Sequence, residues 1–233
     1  MKQNYWGRVG VSLCVLVLVL GQTVGTWRWS VLERLEVFLY DLRVNLTLSS
    51  DIDERLVIVD IDEKSLKSLG HWPWSRDVLA RLIEQLNGRY QVALTGFDVV
   101  FAEPDTSSGL PVLERLGQQQ LADNRAYQQT LQTLRTQLDY DHRFASALTG
   151  KPVVLGYYFS NGEGSHNALN HSGALPTPIF DRPLLEKRQI PFVHMRGFTS
   201  NLAPLQRAAL SSGYFSFFPD IDGTSRRVPL LVE

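Results

Sequence analysis

Four carboxylates sit close to two apolar runs. Asp60 and Asp62 follow Leu56-Val57-Ile58-Val59, while Asp98 and Glu103 bracket Val99-Val100-Phe101, downstream of Val92-Ala93-Leu94. If both runs are extended, Asp60 and Asp62 lie two residues apart and project to one side. If the runs are also parallel neighbours, all four acids meet at the carboxyl edge of a sheet, where open α/β sheets place ligands. Such a group suits a divalent cation, a polar ligand, or paired acid–base work. The plainer reading makes the same residues helix caps, acceptors of backbone N–H groups, or partners of Arg76. Trp72 and Trp74 flank Pro73 and either wall that crevice or pack into the core. The candidate ligand-binding residues are therefore Asp60, Asp62, Trp72, Trp74, Arg76, Asp98 and Glu103, with no catalytic residue, metal or cofactor assigned.

Other chemistry is sparse. Asp220-Ile221-Asp222-Gly223 resembles the opening of a calcium loop, but Ser225, Arg226 and Arg227 stand where further ligands belong. The segment reads instead as a structural turn built on Asp220, Asp222, Gly223 and Arg226. His166 and His171 fall in a polar loop without a third ligand in register. The lone cysteine, Cys14, rules out an internal disulfide. A net charge of −1 with no basic stripe argues against nucleic acid as a partner. No phosphate loop, zinc-protease helix, nucleophile elbow or dinucleotide fingerprint is present.

The elements that would position these residues follow from periodicity. Leu79, Leu82, Ile83 and Leu86 share one helical face between the two runs. Strand, amphipathic helix and strand make a parallel crossover, and the nearly unbroken apolar character of the runs fits a sheet covered on both faces. Pro152 to Phe159 supplies a third strand, and Tyr214 to Phe218 a later one. Asp62 caps a short helix that Gly70 ends, and Ser75 caps the next. Residues 106–149 read as a Gln-rich helical insertion, broken near Ala122-Asp123-Asn124. The expected fold is α/β, a mostly parallel central sheet flanked by helices, with an N-terminal transmembrane helix.

That last element rests on Val9 to Trp27, which holds no charge. Nineteen uncharged residues rise roughly 28 Å as a helix, near the ~30 Å of a hydrocarbon core. Tyr5, Trp6, Trp27 and Trp29 suit the interfaces, and Lys2 and Arg8 favour an inside N-terminus. The expectation is a cytoplasmic segment 1–8, a transmembrane helix 9–29, and an extracytoplasmic domain 30–233, with the lipid bilayer as partner. Gly21 to Gly25 offers no clear cleavage site, which disfavours a signal peptide.

Several segments together resemble the second type of CHASE domain, a sensor module of bacterial signalling proteins. They are Tyr40-Asp41-Leu42-Arg43, Val59-Asp60-Ile61-Asp62-Glu63-Lys64-Ser65-Leu66, Leu69-Gly70-His71-Trp72-Pro73-Trp74-Ser75-Arg76 and Gly96-Phe97-Asp98-Val99-Val100-Phe101-Ala102-Glu103-Pro104. Near the end, Gly213-Tyr214-Phe215 and Pro219-Asp220-Ile221-Asp222-Gly223-Thr224-Ser225-Arg226-Arg227-Val228-Pro229-Leu230 join them. The resemblance implies an extracytoplasmic sensor at the bacterial inner membrane, followed by further membrane helices and a cytoplasmic output domain. It also implies a homodimer that answers an unknown extracellular small ligand or periplasmic partner. The expected output is an adenylate or guanylate cyclase, so the fragment would not itself be the enzyme. The alternatives are a membrane-tethered metal-dependent hydrolase using the strand-end acids, or a constitutive dimerisation module of a receptor kinase.

Overall fold

The computed structural model describes residues 3–23, 29–48, 52–161, 171–180, 192–220 and 222–233. Lys2, Gly25, Trp27, His166 and Ile221, each singled out above, lie outside these residues. The chain forms two compact units, Met1–Asp60 and Ile61–Glu233.

The first unit contains α1 (Gln3–Thr23) and α2 (Ser30–Thr47). Among the described residues, no helix is long and apolar enough to cross a membrane. This overturns the transmembrane helix at 9–29, and with it the bilayer partner and inner-membrane location inferred from it. The physical reason is length. From Val9 to its end at Thr23, α1 rises only roughly 22 Å, against the ~30 Å required. Its first turns carry Gln3, Asn4 and Arg8. Helix α2 takes in Leu46 and Thr47, and Leu48 turns to extended backbone. There the Thr47 hydroxyl donates to the Arg43 carbonyl at 2.8 Å, and Leu48 N–H to Val44 at 2.7 Å.

Leu56 to Val59, expected as the organising strand, joins no sheet. All four side chains are exposed, Ile58 by 94%. β-branched composition favours extended backbone, but a strand needs a ladder partner and a face to bury. Here it has neither among the described residues.

The second unit is built around β2 (Val153–Ser160). Its first half pairs in parallel with β1 (Thr95–Gly96), in the register Thr95 to Val153. It also pairs in parallel with β5 (Ser211–Tyr214), Tyr157 opposite Tyr214. Its second half runs antiparallel to β4 (Gly197–Thr199), which pairs in parallel with β3 (His171–Ser172). The sheet is small and mixed and the chain mostly helical, which corrects the expected mostly parallel α/β fold. β1 is two residues long because the chain around it turns its polar groups elsewhere. Phe101 N–H and carbonyl go to Asn201 and Leu202, so this run never extends the ladder.

Helices α3 (Glu63–Leu69) and α4 (Arg76–Gly88) precede β1. Next come α5 (Leu110–Gln118), α6 (Arg125–Leu138) and α7 (Tyr140–Leu148), and α8 (Ala203–Ala208) precedes β5. Leu79, Ala80 and Ile83 of α4 meet Phe144, Ala145 and Leu148 of α7, with Val153 and Leu155 of β2, Leu205 of α8, and Phe101. Phe97, Phe101 and Phe144 stack edge to face, with centroids 5.2–6.0 Å apart. Burying such a side chain contributes roughly 2–3 kcal/mol each. The α5–α6 pair is fastened by polar contacts rather than by a wide apolar face. Gln128 donates to the Gly117 carbonyl at 2.7 Å and Tyr127 to that of Leu113 at 2.8 Å.

One buried side chain ties the layers together. Asn201 accepts from Phe101 N–H at 2.9 Å and donates to the Gly156 carbonyl at 3.0 Å and to Gln206 at 3.2 Å. Next to it Gly173 has φ +81°, and a Cβ there would fall 2.1 Å from the Ser200 carbonyl oxygen, so no other residue fits.

Candidate functional site

The seven sequence candidates do not form one constellation. Asp60 closes the first unit as an exposed residue in extended chain. Asp62 caps α3, its carboxylate accepting from Ser65 N–H at 2.8 Å; this bond holds its pKa below the ordinary value. Trp72 and Trp74 meet edge to face at 5.7 Å, on either side of a cis Trp72–Pro73 bond. Trp74 donates its indole N–H to the Gly70 carbonyl at 2.9 Å and packs against the core, while Trp72 stays partly exposed. Asp98 and Glu103 are exposed, and Glu103 contributes only its backbone carbonyl, 3.3 Å from Arg76 Nη2.

Arg76 is the centre of a different cluster. Its side chain is 12% exposed and lies 3.6 Å from Asp141, on α7. The guanidinium sits over the Phe101 ring, 4.4 Å from the centroid. Asp105 accepts from Arg76 N–H at 2.6 Å, and Asp105 N–H donates to Asp141 at 2.9 Å. Beside them Asp77 pairs with Arg81 at 3.1 Å and with Arg143. Burial is the largest influence on all three central groups. It pulls Arg76 down, despite Asp141 and Asp105, and pushes Asp141 up. At Asp105 burial is outweighed by hydrogen bonds from Ser107 and Arg76, so its pKa falls. This geometry clamps the start of α4 to the start of α7. Neither Asp105 nor Asp141 was among the sequence candidates. Nothing in local spacing marks them, because their partner is far away in the chain.

The turn near the end is also built by one arginine. Arg226, with a side chain 7% exposed, forms a two-pronged contact to Asp222 at 2.8 Å and reaches Asp220 at 3.2 Å. The Arg226 hydrogen bonds above all, and then the Thr224 N–H, hold the Asp222 carboxyl far below its usual range. Gly223, at φ +81°, closes the turn by donating to the Asp220 carbonyl. These carboxylate oxygens are occupied by a cation of the protein itself. Among the described residues, no group of three or more His, Cys, Asp or Glu side chains is placed to hold a metal.

A concave site lies elsewhere, at the edge of β2 and β5. It is a cavity of about 880 Å³, walled by residues of these strands, of 175–180, of 192–194 and of 228–233. Tyr157, Phe159 and Tyr214 make an aromatic corner with centroids 5.4, 5.5 and 6.3 Å apart. The Tyr214 hydroxyl donates to the Pro229 carbonyl, and Val193 bridges Val232, which holds the 228–233 segment over the cavity. Its size and apolar lining match small-molecule sites. The sequence signal was there in Tyr157 and Phe159, two apart on a strand, but nothing local tells which distant segments cover them.

No curated protein and no solved structure matches the chain. The CHASE2 domain family matches residues 12–233, nearly the whole sequence. The chain therefore belongs to the CHASE2 domain family, extracytoplasmic sensor domains of signal-transduction proteins.

Proposed function

We propose that this chain is the signal-receiving part of an adenylate or guanylate cyclase and does no chemistry of its own. The observation that carries the sensory role is the family match over residues 12–233. The cyclase assignment is the finer step and follows from the outputs that accompany sensors of this kind. The arrangement of charges supports a non-catalytic chain. Arg76 is taken up by Asp105, Asp141 and Phe101, and Arg226 by Asp220 and Asp222, so each is used in holding backbone segments in place. Sensing then requires two states of the domain with different affinity for a signal.

The test is the cyclic AMP and cyclic GMP content of cells expressing the full gene product. The comparison is a version in which Gly156→Ala distorts the sensor. Cyclic nucleotide that rises or falls with the sensor variant is the expected result. If no cyclic nucleotide forms, the cyclase assignment fails. If it forms at the same level with and without the substitution, the sensory assignment fails.

A further inference from the structure

The cavity at the β2–β5 edge has a chemical character that narrows what it can hold. Its walls are aromatic and aliphatic, with Ile179, Phe180 and Leu231 facing the corner made by Tyr157, Phe159 and Tyr214. Among the described residues, neither lysine nor arginine lines it. Two of its ionisable lining residues, His194 and Glu233, lie 3.5 Å from each other. A phosphate, carboxylate or nucleotide would meet no lysine or arginine among these described walls, and the apolar lining does not offset its desolvation cost.

One polar group has been left over. Tyr157 is 9% exposed, and its hydroxyl makes no hydrogen bond with any described residue. Burial, then the neighbouring Tyr214, pushes its pKa up, so at neutral pH the hydroxyl keeps its proton and is a donor. Tyr157 lines the cavity, so its hydroxyl can donate to an acceptor that enters there, a bond worth about 0.5–1.5 kcal/mol. The Tyr214 hydroxyl, in contrast, is already used on Pro229.

We infer that this cavity binds an uncharged, mainly apolar small molecule carrying one hydrogen-bond acceptor, which takes the Tyr157 hydroxyl proton as its partner. This rests on the sensory reading and names the class of signal. Bound there, the molecule touches both the central strand and the 228–233 segment, so occupancy acts on how that segment is held.

The experiment uses the 233-residue chain and the neutral dye N-phenyl-1-naphthylamine, followed by fluorescence. Competitors are decanol, decanoate and decyltrimethylammonium, which share a tail and differ in charge. The expected result is saturable binding displaced by decanol at least tenfold more effectively than by either ion. Tyr157→Phe, which removes one oxygen and no existing bond, should weaken decanol about fivefold and leave the dye nearly unchanged. Leu231→Arg places a cation in the wall and should weaken decanol while improving decanoate. Preferential displacement by an ion in the unmodified chain overturns the inference. So does absence of saturable binding, or affinity unmoved in both variants, which would place the dye on the exposed apolar residues of α1. Because binding is read directly, it stands or falls independently of cyclic-nucleotide output.

Discussion

Removing the Asn201 side chain should cost more than any other single polar deletion described above, and its size can be worked from three contacts. Asn201→Ala leaves Phe101 N–H without its acceptor at 2.9 Å, in a fully buried position. It also takes the donor from the Gly156 carbonyl and from Gln206. A buried orphaned group costs about 1–3 kcal/mol; at the lower half of that range for each, the three together come to about 3–6 kcal/mol, a large part of the ~5–15 kcal/mol of a typical domain. With a urea slope of about 2 kcal/mol per molar, the midpoint should fall by about 2 M. The control is Asn124→Ala, an exposed cap whose side chain accepts from Tyr127 N–H at 3.0 Å; its loss should cost about 1 kcal/mol. Asn201→Asp sharpens the test. It restores the acceptor for Phe101 but faces two acceptors with a carboxylate, so its defect should shrink as pH falls and the acid gains a proton. A midpoint for Asn201→Ala no lower than that of Asn124→Ala refutes the argument, because it means the buried groups find other partners.

Two further outcomes follow from the same packing. Gly156→Ala puts a Cβ 2.6 Å from both the Phe97 carbonyl oxygen and the Phe215 ring, so urea unfolding should show a loss of about 3 kcal/mol; a change under 1 kcal/mol would mean that β1 and β2 separate freely. The Arg76 cluster sets a pH dependence through two acids of opposite sign, with Arg76, Asp77, Asp139 and Arg143 around them. Asp105, with a lowered folded pKa, stabilises above its unfolded value of about 3.9, and that stability is lost as pH falls through the folded pKa. Asp141, with a raised folded pKa, does the reverse: its contribution is present below about 3.9 and is lost as pH rises through the folded value. Asp141→Asn should therefore remove a decline in stability just above pH 4, while Asp105→Asn should remove a gain. Identical urea midpoints against pH in all three proteins would count against this ion network.

Local patterns were legible where one segment decides its own structure. Leu79, Leu82, Ile83 and Leu86 announce α4, and the structure buries Leu79 and Ile83 in the core. Asp62 and Gly70 bound α3 as their types suggest, by a side-chain cap and a φ of +95°. Ser75, in contrast, makes no capping bond, because the start of α4 is served from elsewhere: Asp105 takes Arg76 N–H. The largest error came from Leu56 to Val59. An apolar β-branched run has the intrinsic preference of a strand, but pairing is decided by another segment, and β1 pairs with Val153 and Val154 instead. The membrane helix failed for a related reason. Absence of charge over 9–27 does not by itself set the length of a helix, and α1 covers only 9–23 of that run.

The same distinction explains the site. Sequence reasoning grouped acids by their closeness to apolar runs, so it found carboxylates whose nearest backbone uses them, as at Asp62 and Asp222. It paired Arg76 with Asp98 or Glu103, the acids nearest in the expected sheet, whereas the chain brings it Asp105 and Asp141 through the contact of α4 with α7. The β2–β5 cavity is harder still to read, because its walls come from strands and connecting segments far apart in the chain. Tyr157 looks like any strand tyrosine until its neighbours are known. Tyr214, opposite it in register, has a carbonyl to bond, and among the described residues Tyr157 has none. Two tyrosines of equal sequence character therefore take different parts, one fastening the 228–233 segment and the other lining the cavity beneath it.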